Sequence, residues 1–269
     1  MQTHPRVSLS MLSQWSWTVE EDLAFFEREG VEVIGVSLAK LQAAGGWEPY
    51  VERVRAGGYR VANLIGVGAI RWDEPRGYAD GVARTRDALD AARAFGAECV
   101  VLTTGPAGAL TWEDAADAYA TTLGPVLEEY GDVAVALEHT NGLRVDIGFL
   151  HTLRDAIDFA RRLGVGVCME INACWAERGL GATIANGIDA ITIVQLSDFA
   201  IGTKDTPNRL VPGDGDIPLD RIVGQLLTAG YSGVFDLEMI GPRIEAEGYE
   251  SASTRAVEYV GDVLRALGV

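Results

Sequence analysis

Residues 133–140 read VAVALEHT, an apolar run of strand length that ends on a carboxylate, Glu138, and an imidazole, His139. Three later runs have the same form: VGVCMEIN (165–172) carries Glu170, ITIVQLSD (191–198) carries Gln195, and VFDLEMIG (234–241) carries Glu238. Continuous apolar runs of this kind are what strands buried on both faces of a parallel sheet look like. Toward the N-terminus the series continues with ECVVLTTG (98–105), RVANLIGV (60–67), VEVIGVSL (31–38) and RVSLSML (6–12), which makes eight candidate strands.

The segments between the runs have helical spacing. TVEEDLAFFEREG and DGVARTRDALDAARAFG place apolar residues on one helix face and end in Gly, and Thr18 ahead of Glu21 has the form of a capping box. Further helices are read in TWEDAADAYATTLGPVLEEYG, GFLHTLRDAIDFARRLG, a short stretch near 177–187, PLDRIVGQLLTAG and ESASTRAVEYVGDVLRALG. Strands alternating with helices at a repeat of about 30 residues give a parallel sheet. Eight such units select a single (β/α)8 TIM barrel spanning residues 1–269, with an open doubly wound sheet as the alternative.

A parallel barrel delivers the C-terminal ends of all its strands to one face, so Glu138, Glu170, Gln195 and Glu238 are expected to converge there. Three carboxylates and one amide oxygen suit a hard divalent cation, Mn2+ or Mg2+ rather than a zinc-like metal. With only three His in the chain, a His-rich zinc site is not expected. GDGDIPL (213–219) lacks the Gly-Lys-Ser/Thr of a phosphate loop, and GVGAIRW (66–72) lacks a dinucleotide fingerprint. The first reads as a turn whose Asp216 caps the next helix.

The formal net charge of −17, with no compensating basic cluster, excludes nucleic acid and anionic membranes as partners. The N-terminus has no signal-like apolar segment, and no run reaches a membrane-spanning length of about 18 residues. Cys99, Cys168 and Cys174 lack metal-ligand spacing and fit small apolar groups in a reducing cytoplasm. Exposed helical faces leave room for a homo-oligomer.

From residue 130 to 240 the chain resembles the xylose-isomerase-like superfamily of sugar isomerases and epimerases. LEHT (137–140) looks like its metal-binding Glu, followed by a helix similar to FLHTLRDAIDFARRLG. VQLSDF resembles a His-x-(Lys)-Asp stretch, and RLVPGDGDIPLDRIVGQLLTAGYSGVFDLEM resembles the closing signature. Two positions depart from the pattern: Glu170 stands where the family carries Asp, and Gln195 where it carries His. The resemblance implies a sugar-like substrate bound to a divalent metal held by Glu138, Glu170, Gln195 and Glu238. Glu138 and Glu238 would also move protons through an enediolate.

Trp15 (pocket wall or loop packing), His139 (substrate contact or structural histidine), Asp198 and Arg209 (substrate oxygen or solvated loop charge) complete the candidate substrate contacts. The family's His three residues after its Asp is Ala173 here, so that contact is missing or supplied by Asn172 or Trp175. Asn63, Thr103, Thr104, Trp17 and Lys204 are weaker candidates. His151 is expected on a solvated helix face and His4 near a terminus. The leading function is a metal-dependent isomerase or epimerase of a sugar, polyol or hydroxy-ketone. The alternatives are a lyase or dehydratase on the same barrel, motivated by Gln195, and a sugar-binding barrel without catalysis.

Overall fold

In the computed structural model, which describes residues 3–66 and 70–269, eight parallel strands close on themselves. They are β1 (Val7–Ser10), β2 (Val33–Ser37), β3 (Arg60–Ile65), β4 (Val100–Thr103), β5 (Val135–Glu138), β6 (Gly166–Glu170), β7 (Ile191–Leu196) and β8 (Phe235–Leu237). β8 pairs with β1 through Val7–Phe235, Ser8–Asp236 and Leu9–Leu237, so no sheet edge remains exposed. The eightfold barrel is the expected fold. The strands are shorter than the apolar runs suggest, because the chain leaves the sheet within a residue or two of each polar end; Val67, the last residue of the third run, lies outside the described residues.

Period two divides the strand residues between lumen and helical layer. Phe235 and Leu237 join the large outer core while Asp236 faces inward; Cys99, Val101, Ala136, Cys168 and Ile193 form a separate cluster. The three thiols are free and buried.

The Thr18 capping box is present at the helix Val19–Glu29, and that helix, Tyr78–Phe95 and Leu153–Leu163 each end on a left-handed Gly. The last begins later than its sequence suggests, because the Thr152 hydroxyl accepts from Asp155 N and caps it there. Asp216 caps nothing: its carboxylate accepts from Ile201 N, and Pro218 occupies the cap of Leu219–Thr228. Helices Leu38–Ala43 and Glu48–Ala56, between β2 and β3, are too short and broken by Gly45 and Gly46 to give a readable period. Among the described residues no helix is long and apolar enough to cross a membrane.

Candidate active site at the C-terminal mouth

Glu138 and Glu170 are the last residues of β5 and β6, Gln195 is the penultimate residue of β7, and Glu238 directly follows β8. All four are buried. Arg209, from the long segment after β7, reaches across them. Its Nη1 donates to Glu238 Oε1 at 2.9 Å and to the Glu238 carbonyl at 2.7 Å, and its Nη2 lies 2.8 Å from Glu170 Oε2. Glu170 Oε2 has no hydrogen bond of acceptable angle, so that contact is an ion pair without a directed bond. Gln195 Nε2 donates to Glu238 Oε2, while Gln195 Oε1 is buried and unpartnered. Glu170 Oε1 accepts from Asn172 N at 2.9 Å.

Three carboxylates against one guanidinium would leave a surplus of negative charge if all were ionised, and all three are buried, which opposes that ionisation. Burial, then Glu238 and Glu170, hold the Glu138 carboxyl well above the ordinary carboxylate range. Burial pushes Glu170 up to about 7 despite the opposing pull of Arg209. A divalent cation would neutralise that surplus, and Gln195 Oε1 is an oxygen donor without a partner. In charge and donor chemistry the residues therefore fit such an ion. Among the described residues, however, no three His, Cys, Asp or Glu side chains close around one point, because Arg209 lies between two of them.

The remaining candidates separate clearly. Asp198 is not available to a substrate: its carboxylate accepts from the backbone N–H groups of Phe199 (2.8 Å), Gly213 (2.9 Å), Gly215 (3.0 Å) and Ile217 (3.1 Å). That saturates it and folds the segment carrying Arg209. His139 is fully buried with both ring nitrogens unpartnered, and burial followed by repulsion from His151 lowers its pKa to about 3. A sealed, neutral imidazole makes no substrate contact here.

Asn172 donates from Nδ2 to the Asp198 carbonyl at 3.3 Å, tying β6 to the segment after β7. Trp175 is half-buried against the core, and Trp15 is 52% exposed at the end of the turn after β1. Trp17 packs edge-on against Phe25 and Tyr249, beneath the loop. His151 precedes its helix rather than lying on it, and its Nδ1 is 3.2 Å from the Thr140 carbonyl. His4, near the chain start, is buried against the carbonyl of Val269. Lys204 is exposed, Thr103 pairs in register with Glu138, and Thr104 Oγ1 accepts from Phe149 N.

One lumen residue escapes the strand-end reading. Asp236, fully buried beneath Glu238, accepts from Ser8 Oγ at 2.6 Å, and burial raises it to about 7. Its signal is present in VFDLEM, where Asp236 shares parity with Glu238, but attention to run ends passes over it. Opposite it, Gly35 leaves the room: a Cβ there would stand 3.0 Å from Asp236 Oδ1 and 3.1 Å from Asn63 Nδ2.

A closed eight-stranded barrel with a ring of buried acidic and amide groups at its C-terminal mouth defines the class. The family model of the xylose isomerase-like TIM barrel matches residues 30–259, and the chain belongs to that family. Inosose isomerase of Halalkalibacterium halodurans is 26% identical over 149 residues; the match covers 53% of this chain and about half (50%) of that relative's length. Among solved structures, a protein of Sinorhizobium meliloti 1021 superposes with a TM-score of 0.85 at 24% identity, covering 94% of this chain and 96% of the other. The IOLI protein with a bound zinc atom gives 0.83 at 17% identity over 97% and 99% of the two chains. An L-ribulose 3-epimerase gives 0.75 at 19% identity over 98% and 96%. At these identities the structural likenesses establish the shared fold.

Proposed function

We propose that the protein is a divalent-metal-dependent isomerase or epimerase of a sugar, polyol or related hydroxy-ketone. The observation that carries this reading is the ring of Glu138, Glu170, Gln195 and Glu238, with its three buried carboxyl groups and its unpartnered amide oxygen. Those four residues would hold the ion. The oxygen-only donor set favours Mn2+ or Mg2+ over zinc, although the related IOLI structure contains zinc. When bound, such an ion polarises a substrate carbonyl and its neighbouring hydroxyl.

The chain's own residues supply the proton chemistry. β5 and β8 are separated by β6 and β7 on one side of the closed barrel and by β1 to β4 on the other, so Glu138 and Glu238 would approach a substrate over the ring from different directions. One carboxylate takes the proton from the carbon beside the carbonyl, and the other returns a proton to the opposite face. Arg209 and Gln195 hold both oxygens of Glu238 and fix its orientation, whereas no such clamp on the Glu138 carboxylate is found among the described residues. Asn172, Trp175 and Trp15, which follow β6 and β1, would bound the substrate in this reading.

An elimination on the same barrel is the second reading. Glu238 would act as the base, and Glu138 would protonate a departing hydroxyl or glycosyl oxygen. Gln195 in place of an imidazole, clamped to Glu238, is the feature that favours it.

Purified protein supplied with Mn2+ and a panel of keto-sugars, keto-inositols and dehydroshikimate-like acids separates these readings. A stereoisomer without new ultraviolet absorbance is the expected product, while an unsaturated carbonyl would establish elimination. Absence of any Mn2+ or Mg2+ binding heat, together with no turnover, would sink both and leave a non-catalytic binding barrel.

A further inference from the structure

The main chain around Arg209 is firmly held. Its N–H donates to the Ile240 carbonyl at 3.0 Å, and the next residue, Leu210, exchanges both backbone hydrogen bonds with Asp198, at 2.9 and 3.0 Å. A Cβ on Gly241 would lie 2.9 Å from Arg209 N, so two stretches of backbone pass closely there. That leaves the side chain as the part able to move. It is 15% exposed, between a Glu170 side chain at 3% and a Glu238 side chain at 7%.

Its two limbs are held unequally. Nη1 makes two directed bonds to Glu238, to the carbonyl at 2.7 Å and to Oε1 at 2.9 Å. Nη2 meets Glu170 Oε2 at 2.8 Å in an ion pair without a directed bond. The other oxygen of Glu170 is committed to Asn172 N at 2.9 Å, so Oε2 is the one Glu170 can offer to a cation, as Gln195 offers its unpartnered Oε1. The guanidinium and a divalent ion therefore need the same atom. Two cations against one buried oxygen repel strongly, because little solvent screens them.

We propose that Arg209 is a built-in competitor of the metal, its guanidinium and a divalent ion taking Glu170 in turn. The proposal rests on the metal reading of the carboxylate ring. Arg209 neutralises Glu170 when the ion is absent and gives way by turning Nη2 out, while Nη1 stays on the Glu238 carbonyl, a neutral acceptor outside the carboxylate ring. A side chain that only oriented Glu238 or touched substrate would, on removal, leave metal binding unchanged or weaker. A competitor, on removal, leaves it tighter.

Calorimetric titration with Mn2+ tests this without turnover. Arg209→Ala is expected to bind Mn2+ roughly tenfold or more tighter than the wild type, since the competing charge is gone, and to melt at a lower temperature in EDTA. Methylguanidinium, which carries the head group the side chain has lost, is expected to raise the melting temperature of Arg209→Ala and to weaken its Mn2+ binding, whereas neutral methylurea does neither. Mn2+ binding that is unchanged or weaker in Arg209→Ala, or indifferent to methylguanidinium, would overturn the proposal. Should Arg209→Ala not fold, a crystal structure of the wild type with Mn2+ decides. Arg209 is then expected out of reach of Glu170 and still on the Glu238 carbonyl, and an Arg209–Glu170 pair persisting beside the bound ion would overturn the competition. No Mn2+ binding to either protein would instead overturn the metal reading of the ring, and the competition with it.

Discussion

His139 is an imidazole enclosed in a wall that offers it no hydrogen bond, and its folded pKa of about 3 lies below its ordinary 6.5. Between those values the unfolded chain holds the extra proton, so this residue costs stability as pH falls through that window, by about 1.4 kcal/mol per pH unit. Replacing it with Phe is expected to remove that slope and to leave stability at pH 7 unchanged or improved. Urea denaturation of both proteins from pH 7 to pH 4 measures the difference; parallel curves would refute it. Asp198 is the opposite case, a carboxylate with four backbone donors. Asp198→Ala strands those donors and is expected to cost roughly 2–4 kcal/mol. Limited proteolysis should then cut first within residues 199–217, and a cleavage pattern like that of the wild type would count against this anchoring role.

At the scale of elements, the turn Met11–Gln14 and the segment 199–217 decide where Trp15 and Arg209 stand. Lys40, buried on the helix Leu38–Ala43, donates to the carbonyls of Met11 (3.2 Å) and Gln14 (3.0 Å) and to Asp22. Lys40→Met leaves Asp22 buried without its partner, at an expected cost of about 3–5 kcal/mol. The double variant Lys40→Met with Asp22→Leu should regain most of that stability in thermal denaturation, since it removes both charges; no recovery would show that the carbonyl contacts dominate. Gly241 matters by what it lacks. A Cβ there would lie 2.9 Å from both Arg209 N and Asn208 Cα, so Gly241→Ala is expected to displace Arg209 and to lower turnover more than stability. None of these contacts is legible in the sequence, because each joins residues 18 or more apart through loops that have no period.

At the scale of the whole molecule, barrel closure gathers charges of one sign at a single mouth, and stability should respond to whatever neutralises them. Mn2+ at 100 times its dissociation constant is expected to stabilise the fold by about 2.7 kcal/mol, seen as a rise in melting temperature of several degrees that Glu238→Gln diminishes. An unchanged melting temperature would speak against the ion. Sequence alone determined the barrel, because buried parallel strands and amphipathic helices carry local periods that repeat eight times. It also determined which polar groups close β5 to β8, since the end of an apolar run is a local property. Tertiary structure alone decided that Arg209 joins Glu170 to Glu238, that Asp198 serves the loop and that His139 is sealed, whereas the inward position of Asp236 was legible in its parity with Glu238. Those outcomes depend on which long-range partners a buried polar atom meets once the barrel has closed, and on how far that closure removes it from solvent.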